Sequence, residues 1–284
     1  MPTIDNGIDN WITSIIKQFI NESPENTLKN SQNEPAWAEP LIGFSNGNDS
    51  LYEFYKEDIG SSYLLPREIF ASAYPMEQIK SDELTVISWI LPHTETTKSE
   101  HRIQNQIPTE RWVRARIFGE LVNDKLRAHV VATLREAGYN AVAPLLSPLF
   151  KSIESEKYGP ASTWSERHAA YAAGLGTFGL SDGLITPKGK AMRCGSVIAR
   201  MDIIPCDRPY KDHHAYCLFH TRGLCGDCID RCPVGAISED GHDKVKCQEH
   251  LAFTQEHTSK HFGFKGYGCG FCQTGVSCES RIPE

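Results

Sequence analysis

The 284-residue chain is long enough for about two domains; with 40% hydrophobic and 23% charged residues it is globular in composition, which excludes a disordered, collagenous or coiled-coil protein. Lys+Arg at 29 against Asp+Glu at 36 gives a formal net charge of −7, which argues against a general binder of nucleic acid or of anionic membranes. No apolar run approaches the ~18 residues of a membrane span, and Met1-Pro2-Thr3-Ile4-Asp5 lacks the basic and apolar regions of an export signal, so a cytoplasmic protein is expected.

In chain order, Asn10–Phe19 sets Trp11, Ile15, Ile16 and Phe19 at helical spacing and predicts an amphipathic helix. Residues 21–40 are polar with three prolines and read as an irregular linker. Asn46-Gly47-Asn48-Asp49 reads as a turn. Leu84–Leu91, stopped by Pro92, is β-branched and continuously apolar, the pattern of a buried strand. Thr109–Gly138 carries apolar residues three and four apart and predicts one long or broken helix. Tyr139–Pro144 is a short strand candidate, Ser162–Ala173 a helix that Gly174 terminates, and Cys194–Ile204 a further strand. Without regular βαβ alternation the fold class is α+β.

Gly174, Gly176 and Gly179 match the G-x-G-x-x-G dinucleotide fingerprint. That fingerprint works only after a strand and before a helix. Here a helix precedes it, so the glycines read as a turn where backbone packs closely against something.

All ten cysteines lie between Cys194 and Cys278. A disulfide framework belongs to small secreted domains, so these thiols read as metal ligands in one module. The boundary is placed at 1–205 for a scaffold domain and 206–284 for a metal-carrying domain. Cys225-x2-Cys228-x3-Cys232-Pro233 supplies the last three cysteines of the bacterial ferredoxin string, with Arg222 where the first would stand. Cys217 is the nearest upstream thiol, with His220 and His214 as weaker substitutes. With Cys247, Cys269, Cys272 and Cys278 the set reaches eight, enough for two [4Fe-4S] clusters. Ferredoxin crossing gives Cys217, Cys225, Cys228 and Cys278 to one and Cys232, Cys247, Cys269 and Cys272 to the other. Two four-cysteine zinc sites are the competing reading. Cys194 and Cys206 fall outside and read as small buried hydrophobes.

Ser165-Glu166-Arg167, Gly174-Leu175-Gly176, Gly195-Ser196 and the Cys225–Pro233 string follow the order found in epoxyqueuosine reductases, which the chain resembles along with the related reductive dehalogenases. Glu39–Phe44, Ile87–Pro92 and Gly268–Pro283 extend the likeness. The resemblance implies a nitroreductase-like domain holding a cobalamin and a ferredoxin-like domain passing electrons to its cobalt. It also implies that Gly174, Gly176, Gly179, Gly195 and Ser196 approach the cofactor. Where those reductases carry an acidic proton donor, this chain has Pro160, and their Trp-Ile-Gly-Lys is Thr177-Phe178-Gly179-Leu180 here. Tyr158, His168, Tyr171 and Asp182 are the replacement candidates near the loop.

The expected function is an iron–sulfur oxidoreductase that feeds low-potential electrons to a cobalamin-dependent site. Its partners would be a donor such as a ferredoxin or flavodoxin and a small-molecule substrate; nucleic acid and membrane are not expected. The alternative is a non-catalytic carrier that reduces a partner protein or that partner's corrinoid.

Overall fold

The computed structural model describes residues 7–284; Met1–Asp5, on which the export reading rests, lies outside the described residues. The helix α1 (Ile8–Glu22) buries Ile12, Ile16 and Ile20, a turn apart each time. The linker after it is irregular as expected, and Asn26 pins it by accepting from the backbone N–H groups of Ala36 and Trp37.

Four strands form one antiparallel sheet in the order β1-β2-β8-β3. They are β1 (Leu41–Asn46), β2 (Leu84–Pro92), β3 (Ala141–Val142) and β8 (Met192–Arg200). All nine residues of β2 are buried, because the strand is central and both faces are covered. Leu84, Val86 and Ile90 face a core shared with α2 (Ser50–Ile59), α3 (Pro66–Ala73) and α6 (Glu166–Ala172). Ile87, Trp89 and Leu91 point the other way, toward α1 and the 27-residue α5 (Glu110–Glu136). Thr109 caps α5 by accepting from the Trp112 N–H at 3.3 Å, and the helix runs unbroken. At Gly119 it lets Trp37 lie on its backbone, where a Cβ would sit 2.6 Å from the ring.

The helix over 162–173 is shorter than its sequence suggests. Ser165 caps it, and the residues before belong to a hairpin of β4 (Ser152–Ser155) and β5 (Gly159–Ser162). Gly174, at φ +78°, ends it. A short hairpin follows, β6 (Thr177–Phe178) with β7 (Leu184–Ile185).

From residue 206 onward the chain is built of short pieces on the scaffold. These are α7 (Leu218–Arg222), α8 (Asp227–Asp230), the hairpin β9 (Ile237–Ser238) and β10 (Gly241–His242), and one long helix, α9 (Lys244–His261). The tail returns under the start of β8, where the Lys190 and Ala191 N–H groups donate to the carbonyls of Cys278 and Glu279. Arg102, on α4 (Glu95–Arg102), pairs with Glu279, and Lys98 donates to the Ser280 hydroxyl at 2.7 Å.

Candidate redox site

Cysteines gather at two adjoining hollows. The smaller is lined by Cys217, Cys225, Cys228 and Cys278; the larger, a cavity of about 740 Å³, includes Cys232, Cys247, Cys269 and Cys272 in its wall. Those are the two sets that ferredoxin crossing brings together. None of the ten cysteines is in a disulfide. Among the described residues no three Cys, His, Asp or Glu side chains stand at the spacing of a single-ion site.

Local structure explains the displaced cysteine. Cys217 precedes α7, one helical turn is inserted, and Gly223 at φ +65° reverses the chain toward Cys225. His214 and His220 stack on each other at 3.8 Å and stay out of the hollow's lining. The Cys232 sulfur accepts from the Ala236 N–H at 3.1 Å. Burial pushes the thiols of Cys228 and Cys247 up to about 11 and that of Cys269 up to about 12. Thiolates crowded together in a dry site need a compensating positive charge, which soft iron supplies. The donor set fits two iron–sulfur clusters.

The cavity lies between these cysteines and the scaffold. Its scaffold wall comes from α5, the first turn of α6 and the start of β8. At its centre Arg127 is fully buried and held on every side. Its guanidinium donates to Glu120 at 3.0 Å, Asp124 at 2.7 Å, Glu166 at 3.2 Å and the Cys194 carbonyl at 3.1 Å. Glu166 also accepts from Ser196 and from Trp164 Nε1 at 3.4 Å. Burial raises the carboxyls of Glu166 and Asp124. Burial opposes charge on Glu120 too, but Arg127 and Arg193 outweigh it and hold that carboxyl low. Arg193 also lines the cavity, with its buried Nε unpartnered. Trp112, Trp164, Phe150 and Met192 add apolar surface, a mix that suits a large, mostly apolar cofactor with a few polar groups.

Of the glycines singled out from the sequence, Gly179 lines the smaller hollow. Gly174, Gly176 and Gly179 do not line the larger cavity. A Cβ at Gly176 would lie 2.3 Å from the Ile185 carbonyl oxygen, and one at Gly174 2.4 Å from that of Asp207. What packs closely against them is the chain itself. Gly195 makes room for the Trp89 ring at 2.4 Å, and Ser196 acts from behind, through Glu166.

Tyr158 is on the exposed hairpin, donating to Asp58 at 2.7 Å, and Pro160 is in the same hairpin. His168 packs between Tyr55 and Phe178, and Tyr171 between Phe178 and Tyr210. Asp182 reaches the cavity edge through the lining residue His242, whose Nδ1 is 3.1 Å from its carboxylate. Sequence reasoning did not single out Arg127, Glu120, Asp124 or Arg193. Glu120, Asp124 and Arg127 recur on one side of α5 at spacings of four and three residues. A triplet of charges recurring beside the apolar positions of a long helix was the available signal.

No family model matches the chain. A curated epoxyqueuosine reductase from Bacillus anthracis is 34% identical over 116 residues, 39% of this chain and 28% of the relative. One from Staphylococcus aureus is 26% identical over 147 residues, 50% of this chain and 36% of the relative. The chain thus spans only about a third of the length of the curated relatives it matches. Among solved structures, a catabolic reductive dehalogenase in complex with 3-bromo-4-hydroxybenzoic acid superposes at a TM-score of 0.50 and 13% identity, over 96% of this chain and 37% of that one. A selenomethionine-labelled epoxyqueuosine reductase gives a TM-score of 0.40 at 18% identity, over 86% and 65%. The protein is therefore similar in sequence to epoxyqueuosine reductases and in its mixed helix-and-sheet fold to a reductive dehalogenase. Among the described residues no helix is long and apolar enough to cross a membrane.

Proposed function

We propose that this chain is a reductase of the epoxyqueuosine reductase and reductive dehalogenase type, holding two [4Fe-4S] clusters and a cobalamin. Residues 1–205 form a nitroreductase-like scaffold and 206–284 a ferredoxin-like module, in the reducing cytoplasm. The carrying observation is the cysteine arrangement: four line one small hollow, and the other four, together with Cys194, line the wall of the large cavity. Bound there, the clusters would supply single low-potential electrons and the corrinoid the reductive chemistry. Cys217, Cys225, Cys228 and Cys278 would hold one centre and Cys232, Cys247, Cys269 and Cys272 the other, beside the cavity, and a ferredoxin or flavodoxin would be the electron donor.

The chain's own groups orient and protonate. Arg127 fixes the carboxyls of α5 and α6 at the cavity wall. A two-electron reduction ending in a protonated product needs an acid. Glu166 is tied by three donors, whereas Asp124 is 40% exposed at the wall and its carboxyl is raised by burial. Among these carboxyls Asp124 is thus the one placed to serve as that acid. The acid of epoxyqueuosine reductases is replaced by Pro160, so the substrate is assigned only as a small molecule.

Anaerobically prepared protein should contain about eight iron and eight acid-labile sulfide per chain, four for each cluster. It should also bind cobalamin in a calorimetric titration followed by visible spectroscopy. Zinc without sulfide removes the redox reading. Clusters without corrinoid binding convert the protein to an electron carrier.

A further inference from the structure

Lys190 borders both hollows and is 3% exposed. The chain is built to put it there. Its N–H donates to the Cys278 carbonyl at 2.8 Å, and the preceding Gly189, at φ +83°, fits where a Cβ would lie 2.1 Å from the Glu279 carbonyl oxygen. Its stem runs over Gly183, where a Cβ would be 2.7 Å from Lys190 Cδ. The ammonium donates to the Ser181 hydroxyl at 3.0 Å, and the side chain lines the smaller hollow together with Cys278. Ser181 in turn lines the larger cavity with Cys272. One buried cation thus borders the hollows of both cysteine sets and is hydrogen-bonded to a hydroxyl in the wall of the larger one.

An ammonium out of water is costly unless opposite charge lies close. Here Cys278 and Cys228 share the smaller hollow with it and Cys272 the larger. Resting on the two-cluster reading, we infer that Lys190, with Ser181 as its relay, is a positioning residue shared by both iron–sulfur centres that raises the reduction potential of each. Reducing a cluster by one electron, from dithionite in the test below, adds one negative charge and forms or breaks no bond. A fixed positive charge beside it stabilises that reduced form, strongly so in a dry site. Lys190 also screens the two centres from each other, so the second electron enters against less repulsion.

The experiment is potentiometric titration of the anaerobic full-length protein, followed by electron paramagnetic resonance, on the parent and on K190Q, K190R and S181A, with iron and sulfide measured on each. In K190Q both centres should become at least tenfold harder to reduce, ~59 mV for one electron, while K190R keeps both near the parent values. S181A should shift the centre held by Cys232, Cys247, Cys269 and Cys272 more than the other. Unchanged potentials in K190Q with full iron overturn the inference. If K190Q loses its iron, K190R decides. Iron retained there at parental potentials supports a role for the charge, and iron lost in both overturns it, because shape would then be what the site requires. Zinc without sulfide in the parent overturns the two-cluster reading and this inference together, and that outcome is visible before any substitution is made.

Discussion

The scaffold and the cysteine-bearing segment exclude water by different means. The scaffold closes two apolar cores against opposite faces of one sheet, filled by Ile, Leu, Val, Trp and Tyr from every helix of α1–α3, α5 and α6. The segment after residue 206 has no comparable core. Its buried apolar cluster is Leu180, Ile185, Cys217, Cys228, Ile237, Val276 and Cys278, of which two are scaffold residues and three are thiols. Its long helix α9 buries only His250, Thr254 and Thr258 and leaves Val245 and Phe253 exposed. So few apolar groups cannot offset the entropy of ordering that much chain. On the proposed reading, this segment is held by the centres its cysteines would bind and by its docking on the scaffold.

The largest expected effect follows directly. Stripping the iron with an oxidant and a chelator should release residues 206–284 to rapid proteolysis, because metal-binding energy is folding energy in such modules. The scaffold should remain folded, with Trp37, Trp89 and Trp164, all at most 2% exposed, keeping their near-ultraviolet circular dichroism. Loss of both regions in a single transition would dissolve the contrast between them.

Gly176→Val probes the seam. The added side chain would be driven into the Ile185 carbonyl, 2.3 Å from the new Cβ, and Ile185 belongs to the small cluster around Cys217 and Cys278. Overpacking of this kind costs roughly 1–3 kcal/mol. Thermal unfolding should show that loss, and iron content should fall with it. A variant of parental stability with full iron, deficient only in corrinoid binding, would restore the glycines to the cofactor site.

The same physical difference decides what was legible in the sequence. Leu84–Leu91 and Thr109–Gly138 announce themselves because continuous apolar character and three-four periodicity are properties of the local chain, and both form as expected. The two cysteine groups proposed by ferredoxin crossing line separate hollows, although the loops between them gave no sign of where each would sit. The short helices α2 and α3 and the long α9 were not read, because their polar composition hides one buried stripe. The cavity wall was hidden for another reason. Arg127, Glu120 and Asp124 share a helix, but Glu166, Arg193 and the Cys194 carbonyl join them only through tertiary packing. Gly176 misled because a glycine reports that something approaches, and the sequence does not say what.

Acid should weaken the scaffold before it reaches any carboxylate range. Burial is the main cause that holds His168 down to about 3 and His93 well below the ordinary 6.5. Both are neutral when folded, whereas the unfolded chain takes up their protons below pH 6.5. Their stabilisation is therefore fully present above about pH 6.5 and is lost as the pH falls from there toward about 3, by roughly 1.4 kcal/mol per pH unit for each imidazole. Urea unfolding at pH 7.5, 6.0 and 5.0, read by scaffold tryptophans, should show that decline, and His168→Phe should shallow it by one share. A profile flat to pH 5 would mean that these rings protonate in place.

The smallest effect locates the border between the two regions. Cys206 lies at the proposed domain boundary, yet its contacts belong to the scaffold. Its sulfur accepts from the Phe44 N–H at 3.3 Å, its N–H donates to the Phe44 carbonyl at 2.9 Å, and its side chain packs against the core under the sheet. Serine keeps an acceptor there and gives up polarizable apolar contact, so Cys206→Ser should cost only about 1 kcal/mol or less. Iron content should stay at the parental level. Cys217, eleven residues on, lines the smaller hollow with three other thiols, and Cys217→Ser should lose iron from one centre. The pair of variants therefore brackets where packing by apolar contact gives way to packing around metal. Iron loss in Cys206→Ser would move that border upstream into the strand-edge contacts of Phe44, and the scaffold would then share in holding the centre.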